Sequence, residues 1–396
     1  MPGPLAGIRI VDVSAIVSGP LATMLLADQG ADVIKVEAPG IGDFMRLGPF
    51  RRGNLSAFFA NNNRGKRSLV VDLAKPRARE IVRELVRRAD VFVQNWRPGA
   101  AERLGLGPDE LRASNPGLIY ASISGYGDSG PYRDRRVYDP IIQGLTGHVA
   151  VQRNPEFPVP DLVRNVVADK ASAYTVAQAI TAALFARERG AGGQYLHVPM
   201  LDASLAFFWP DGMMAHTLIG DGVQKGPTLY ELLRLQPTAD GHLIYFAASD
   251  PEMHGLFRAL GHPEWCDDPR FGSVDGRRVP ENFEALGALI DEAFRRWKTQ
   301  ELMERLFAEQ VAAGAVLSLE EVIADPQVRH NGAIVERDHP AAGRMREPRP
   351  AARFERTPAE LGRPAPLHGE HNAEILAELG IGEAERAQLR AEGIIP

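Results

Sequence analysis

Residues 8–39, IRIVDVSAIVSGPLATMLLADQGADVIKVEAP, decide how the rest of the chain is read. IRIVDV (8–13) is a short apolar run rich in β-branched residues, which predicts a buried strand. SGPLATMLLADQG (18–30) carries apolar residues at helical spacing and closes on Gly30, so it predicts a helix with Pro20 in its first turn. DVIKVEAP (32–39) repeats the strand pattern. A strand, a helix and a second strand in close succession form the building unit of a parallel sheet.

The alternation continues to about residue 125. SLVVDL (68–73), DVFVQNW (90–96) and LIYASISGYG (118–127) read as strands. KPRAREIVRELVRRA (75–89) reads as a helix with arginines on its outer face, and a short helix falls near 108–114. Apolar strands separated by helices predict an α/β fold with a parallel sheet covered on both faces. Residues 138–147 and 171–188 read as helices, the second apolar nearly all round and therefore buried. YLHVPM (195–200) is a strand and LDASLAFFW (201–209) starts another helix. Gly, Pro and Asp accumulate over 210–228, as in a linker. From about 229 the style changes: YELLRLQPTADGHLIYFAAS reads as two strand-like runs about an Asp-Gly turn, followed by helices. The expected organisation is a large domain over 1–220, a smaller α+β domain over 225–325 and a C-terminal segment over 330–396 that ends in the helix HNAEILAELG.

The 396 residues are 44% hydrophobic and 24% charged, an ordinary globular composition. The net charge of −6 argues against nucleic acid as a partner, so an anionic ligand must be met by local arginines and lysines. The single cysteine, Cys266, excludes an internal disulfide and suits a reducing cytoplasm. PEWCDDPRF sets two acids beside it, which opposes a thiolate. No signal-peptide pattern and no apolar run of about 18 residues is present, so no membrane span is expected. The dinucleotide fingerprint G-x-G-x-x-G does not follow the first strand, nor is there a phosphate-binding G-x-x-x-x-G-K-[ST] loop. The ten histidines are scattered, with HGEH (368–371) the one close pair, so no metal site is expected.

Three stretches carry candidate chemistry. NNNRGKRSLVVDL (61–73) sets Arg64, Lys66 and Arg67 just before a strand. Such a turn is either solvated basic surface or a phosphate site. QNWRPGAAERLGL (94–106) adds Asn95, Arg97 and Arg103 beyond a strand end, the sheet edge where ligands collect in open α/β folds. SISGYGDSGPYRDRRVYDP (122–140) brings Tyr126, Tyr132 and Tyr138 into a glycine-rich loop. In LVRNVVADKASAYTVAQAITAALFARERG (162–190), Asp169 stands at the start of the buried helix. It is either the cap of that helix or a carboxylate kept ionised by helix N–H groups. In the second reading the small residues Ala168, Ala171, Ser172 and Ala173 leave room for it to attack an activated carbonyl.

As an ordered set, these motifs resemble the family III CoA-transferases, a group that also holds the α-methylacyl-CoA racemases. The matching stretches are GIRIVDVSAIVSGPLATMLLADQGADVIKVEAPGIGD, NRGKRSLVVDL, ADVFVQNWRPG, SISGYGDSGPY, the VADK at Asp169, and APLHGEHNAEILAELG. The resemblance implies a Rossmann-like large domain without the dinucleotide loop, a C-terminus that returns to it, and an interlocked homodimer. It implies Asp169 as nucleophile, passing through an aspartyl anhydride and an aspartyl-CoA thioester. Tyr138 and Asp139 would stand beside it. Ala15, Ile16, Ser18, Asn95 and Arg103 match CoA-pocket positions, while a phosphate role for Arg64, Lys66, Arg67 and Arg97 rests on their charge. Coenzyme A would be a substrate, with no permanently bound cofactor, and a small dicarboxylate such as succinate is the expected acid. The racemases have histidine at the position of Tyr138 and a glycine run where this chain has KASA, which favours transfer. Formyl-CoA transferase carries a tetraglycine loop that is missing from 220–233, and a glutamine where Val17 stands, which disfavours oxalate and formate. Proton exchange at an acyl α-carbon, or simple CoA binding with Asp169 as a cap, are the alternative readings.

Overall fold

The computed structural model describes residues 3–152 and 160–396. The chain forms two compact units, one of residues 1–214 with 331–396 and one of 215–330.

The first unit is built on six parallel strands. β1 (Arg9–Asp12), α1 (Ser18–Asp28) and β2 (Asp32–Glu37) form the expected strand, helix and strand. β3 (Lys66–Val70), α2 (Pro76–Arg87), β4 (Val91–Gln94) and β5 (Ile119–Ser124) follow. Next come α3 (Asp139–Leu145), α4 (Val167–Ala186), β6 (Tyr195–Pro199) and α5 (Met200–Gly212). The sheet order is β3-β2-β1-β4-β5-β6, every pair parallel. That is the order of the doubly wound nucleotide folds, and its direction reverses between β1 and β4.

Side chains alternate between the two faces along each strand. Val11, Ile34, Leu69, Phe92 and Tyr120 pack under α2 on one face. Ile10, Val33, Val93, Ala121 and Ile123 pack under α1, α4 and α5 on the other. Ala168, Ala173 and Ala177 are small enough to let α4 close on its neighbours. The C-terminal segment contributes a hairpin, β9 (Ile334–His339) with β10 (Gly343–Pro348), and the helices α9 (Asn372–Glu378) and α10 (Glu383–Ala391). Ile375, Leu376, Leu389 and Ile394 of this segment complete the α2 face. Asn372 Oδ1 accepts from the Val70 N–H at 2.8 Å and ties α9 to the edge strand.

Two local expectations are corrected. The third strand begins at Lys66, not Ser68, because Lys66 and Arg67 are buried and their charges are met inside the fold. The run from 229 opens as a short helix, Leu229–Leu232, because Thr228 and Glu231 form a reciprocal capping box at its start.

In the second unit β7 (His242–Phe246) pairs antiparallel with Gln236–Pro237 and with β8 (Ala312–Ala315). Its core joins Leu243 to Leu256, Phe257, Ile290, Phe294 and Leu302 from the helices α6 (Asp250–Leu260), α7 (Pro280–Phe294) and α8 (Thr299–Ala308).

Candidate active site

Asp169 is the third residue of α4, not its cap. The helix starts at Val167, and the preceding residue, Val166, supplies no side-chain cap. The cap comes from another helix: Asp139, the first residue of α3, accepts the Asp169 N–H on Oδ2 at 3.0 Å. Gln143, one turn along α3, donates to Asp139 Oδ1 at 2.6 Å and bonds Val163 and Asn165, which fixes the approach into α4.

The two carboxyl groups are buried, Asp139 at 4% and Asp169 at 8% exposure. Burial pushes the Asp169 carboxyl up to about 7, and the negative charge of Asp139 pushes in the same direction. The N–H and hydroxyl of Ser18, the first residue of α1, oppose the rise by hydrogen bonding. The expectation of a carboxylate held ionised by its own helix is therefore corrected. Its first-turn N–H is taken by Asp139, and it sits near half-ionisation at neutral pH. Among the described residues the groups acting on it are an acid and a serine, not a cation.

Ser18 is delivered by the loop after β1, which is held by buried side chains. Asp12 accepts from the Ser14 N–H at 2.9 Å and from the Ser14 hydroxyl. Asn95 clasps Ala15 across the sheet reversal, accepting its N–H at 2.9 Å and donating to its carbonyl at 2.7 Å. Gly19 is required here, because a Cβ would stand 2.2 Å from Ser14 Oγ. Ala15, Ile16 and Ser18 are thus brought to one place with Asn95, Asp139 and Asp169. Tyr138 stands at the start of α3 beside Asp139, with 61% of its surface exposed.

Arg97 and Arg103 lie beyond β4, both exposed and with no side-chain ion pair among the described residues. Arg97 lines a cleft of about 400 Å³ with Trp96, Gly99, Ser122, Arg133 and Tyr195.

The other basic cluster is not a ligand surface. Arg64 is 3% exposed and forks onto Asp28 at 3.0 and 2.7 Å. Lys66 is fully buried and donates to Asp12, Pro20 and Asn63 at 2.8–2.9 Å. Arg67 is 4% exposed and is shared among Asp32, Glu374 and Glu378. The phosphate role expected for these three is corrected, since every cation already has an internal carboxylate and none faces solvent. Lys66 with Lys35 instead holds the Asp12 carboxyl at about 2, against a burial that would raise it. Lys35, Asp43, Glu37 and Arg46, none of which stands out in the sequence, complete this buried charge network. Pairing with Arg46 and Lys35 holds Glu37 at about 2, again against burial. Among the described residues no cluster of three metal-ligating side chains occurs, and no helix is long and apolar enough to cross a membrane.

A family model described as CoA-transferase family III matches residues 5–372. A succinate–glutarate CoA-transferase of Agrobacterium fabrum is 36% identical, with 95% of this chain and 96% of that protein covered. The human succinyl-CoA:glutarate CoA-transferase is 32% identical, over 95% of this chain and 86% of that protein. A crystal structure of a Mycobacterium tuberculosis protein superposes with a TM-score of 0.83 at 32% identity, covering 95% of this chain and all of the other.

Proposed function

The chain belongs to CoA-transferase family III, and from that premise we propose that it moves CoA from an acyl-CoA to a free carboxylic acid with Asp169 as the covalent carrier. The observation that carries this reading is the Asp169 carboxyl itself: buried, with no cation acting on it among the described residues, and met by the first turn of α1. A carboxylate stripped of water and balanced near neutrality is a stronger nucleophile than a solvated one.

The ionised Asp169 attacks the thioester carbonyl, the C–S bond breaks, and CoA leaves as thiolate from a mixed anhydride. The thiolate attacks the Asp169 carbonyl of that anhydride, releases the donor acid as carboxylate, and leaves an Asp169–CoA thioester. The acceptor carboxylate then attacks the thioester carbonyl and expels the thiolate. Finally the thiolate attacks the acceptor's carbonyl, forming the new acyl-CoA and freeing Asp169. No net proton is consumed. Ser18, with its N–H and hydroxyl at Asp169, donates to the oxyanion of each tetrahedral step. Asp139 holds the helix start, and Tyr138 covers the site from its rim.

Arg97 and Arg103, free of internal carboxylates, meet the CoA phosphates, and Ala15, Ile16, Ser18 and Asn95 line the path to Asp169. The donor and acceptor are small dicarboxylates and their CoA esters, succinyl-CoA and glutarate first, as in the relatives' names. The enzyme works as an interlocked homodimer in the cytoplasm. Exposed Phe185, Phe207, Leu218 and Ile219 supply apolar surface for such an assembly. Incubation with succinyl-CoA, quenching in hydroxylamine and peptide mass analysis is expected to find the adduct on Asp169. If Asp169→Ala folds, binds CoA and still exchanges CoA between acids, the assignment is wrong.

A further inference from the structure

Ile16 stands at φ +72°, the left-handed region, which a β-branched residue enters only when its surroundings enforce it. The enforcing groups are buried charges. The Asp43 carboxylate receives the Ile16 N–H with both oxygens at 3.2 Å and the Met45 N–H at 3.0 Å. Lys35 Nζ bridges Asp43 Oδ2 at 3.0 Å and the Ser14 carbonyl at 2.9 Å, so one ion pair grips both sides of the turn. Both side chains are fully buried. Two residues further along the chain, Ser18 faces Asp169.

We propose that Asp43 and Lys35 are positioning residues for the Asp169 nucleophile: they hold the turn at residues 14–16, with Ile16 in the left-handed region, and so aim the first turn of α1 at the Asp169 carboxylate. The inference rests on Asp169 as the reacting group. Neither residue acts on Asp169 directly. The groups that do are Ser18 from α1 and Asp139 from α3. Lys170, on the same helix, is exposed and donates to Asn165 Oδ1 at 3.1 Å, and His148 interacts electrostatically with Asp139. Charge is needed in the grip because one carboxylate must accept two backbone N–H groups and an ammonium together. Released from Asp43, Ile16 relaxes toward negative φ, and the Ser18 donors withdraw from Asp169.

The test uses the full chain, with succinyl-CoA and glutarate as substrates. Asp43→Asn is expected to lower kcat by about 10- to 100-fold and to move the acid limb of the rate profile up by about one pH unit. Adding Ile16→Gly is expected to restore about tenfold of that loss, because glycine takes this φ without strain. Wild-type kcat and acid limb in Asp43→Asn, or no recovery on adding Ile16→Gly, would make the pair merely structural and overturn the proposal. Asp43→Ala is the harsher variant; if it does not fold, Asp43→Asn carries the test, since Lys35 still faces Asp12 and Glu37. Amide exchange over residues 14–20 without substrate separates this from the transfer reading. Faster exchange in Asp43→Asn supports the clamp even if the wild type yields no Asp169 adduct, in which case only the transfer reading fails. Unchanged exchange overturns the clamp whatever the kinetics show.

Discussion

Replacing Asp169 by asparagine should stabilise the protein, and by an amount that depends on pH. The carboxyl moves from an ordinary 3.8 to about 7 on folding. A raised carboxyl favours the folded state while it is protonated, so its contribution is complete below pH 3.8 and is lost as pH climbs through 7. At about 1.36 kcal/mol per pH unit, the wild type carries a penalty of about 4 kcal/mol at pH 8 and under about 1 kcal/mol at pH 4. The side chain is only 8% exposed, so solvent screening takes little from this figure, which remains an upper value. The substituted amide has no charge to desolvate, and any fixed cost of burying it cancels between the two pH values. For a cooperative unit of roughly 280 residues, the pH 8 term corresponds to a rise in Tm of up to about 7 °C. Calorimetry of both proteins at pH 4 and pH 8 measures it. A Tm difference that is the same at both pH values, or smaller at pH 8, would refute the claim that Asp169 is a strained, uncompensated carboxyl.

Other expectations follow from the same geometry. kcat/KM for succinyl-CoA should rise through an apparent pKa of about 7 and then level, because in the proposed reaction only the ionised Asp169 attacks; a flat profile between pH 5 and 8 would contradict this. Lys66→Met should cost about 3–5 kcal/mol of stability, since it removes the ammonium that pairs directly with the buried Asp12 carboxylate, whereas Arg103→Ala should weaken CoA binding about tenfold with little change in Tm. Denaturation and CoA titration on the two variants distinguish a structural cation from a ligand one. Gly19→Ala should cost about 1–3 kcal/mol by driving its methyl into Ser14, and should lower kcat through the displaced Ser18.

The parts of the fold legible in the sequence are those fixed by local apolar pattern. β1, α1 and β2 need no distant partner to be read, nor does the buried length of α4. Lys66 and Arg67 are different, because a charged pair reads as a turn unless its carboxylates are known. Those carboxylates, Asp12 and Asp32, lie on other strands and meet the pair only when the sheet forms. Asp169 reads locally as a cap for a similar reason: the residue that caps its helix is Asp139, 30 positions earlier. The Thr228–Glu231 capping box, by contrast, is present in local sequence and is enough to correct the strand expected at 229. Lys35 and Asp43 give no local signal, since a lysine inside an apolar strand has meaning only through the loop it holds.

In the proposed reaction Asp169 carries the acyl group and then the CoA. This is tested most directly by oxygen transfer. In that reaction, when glutarate labelled with heavy oxygen in its carboxylates accepts CoA from succinyl-CoA, its attacking oxygen would bridge to Asp169 and stay there as the new thioester forms. Digestion after turnover is expected to show heavy oxygen in the Asp169 carboxyl and in no other side chain. Glutaryl-CoA formed at full rate with an unlabelled Asp169 would contradict it.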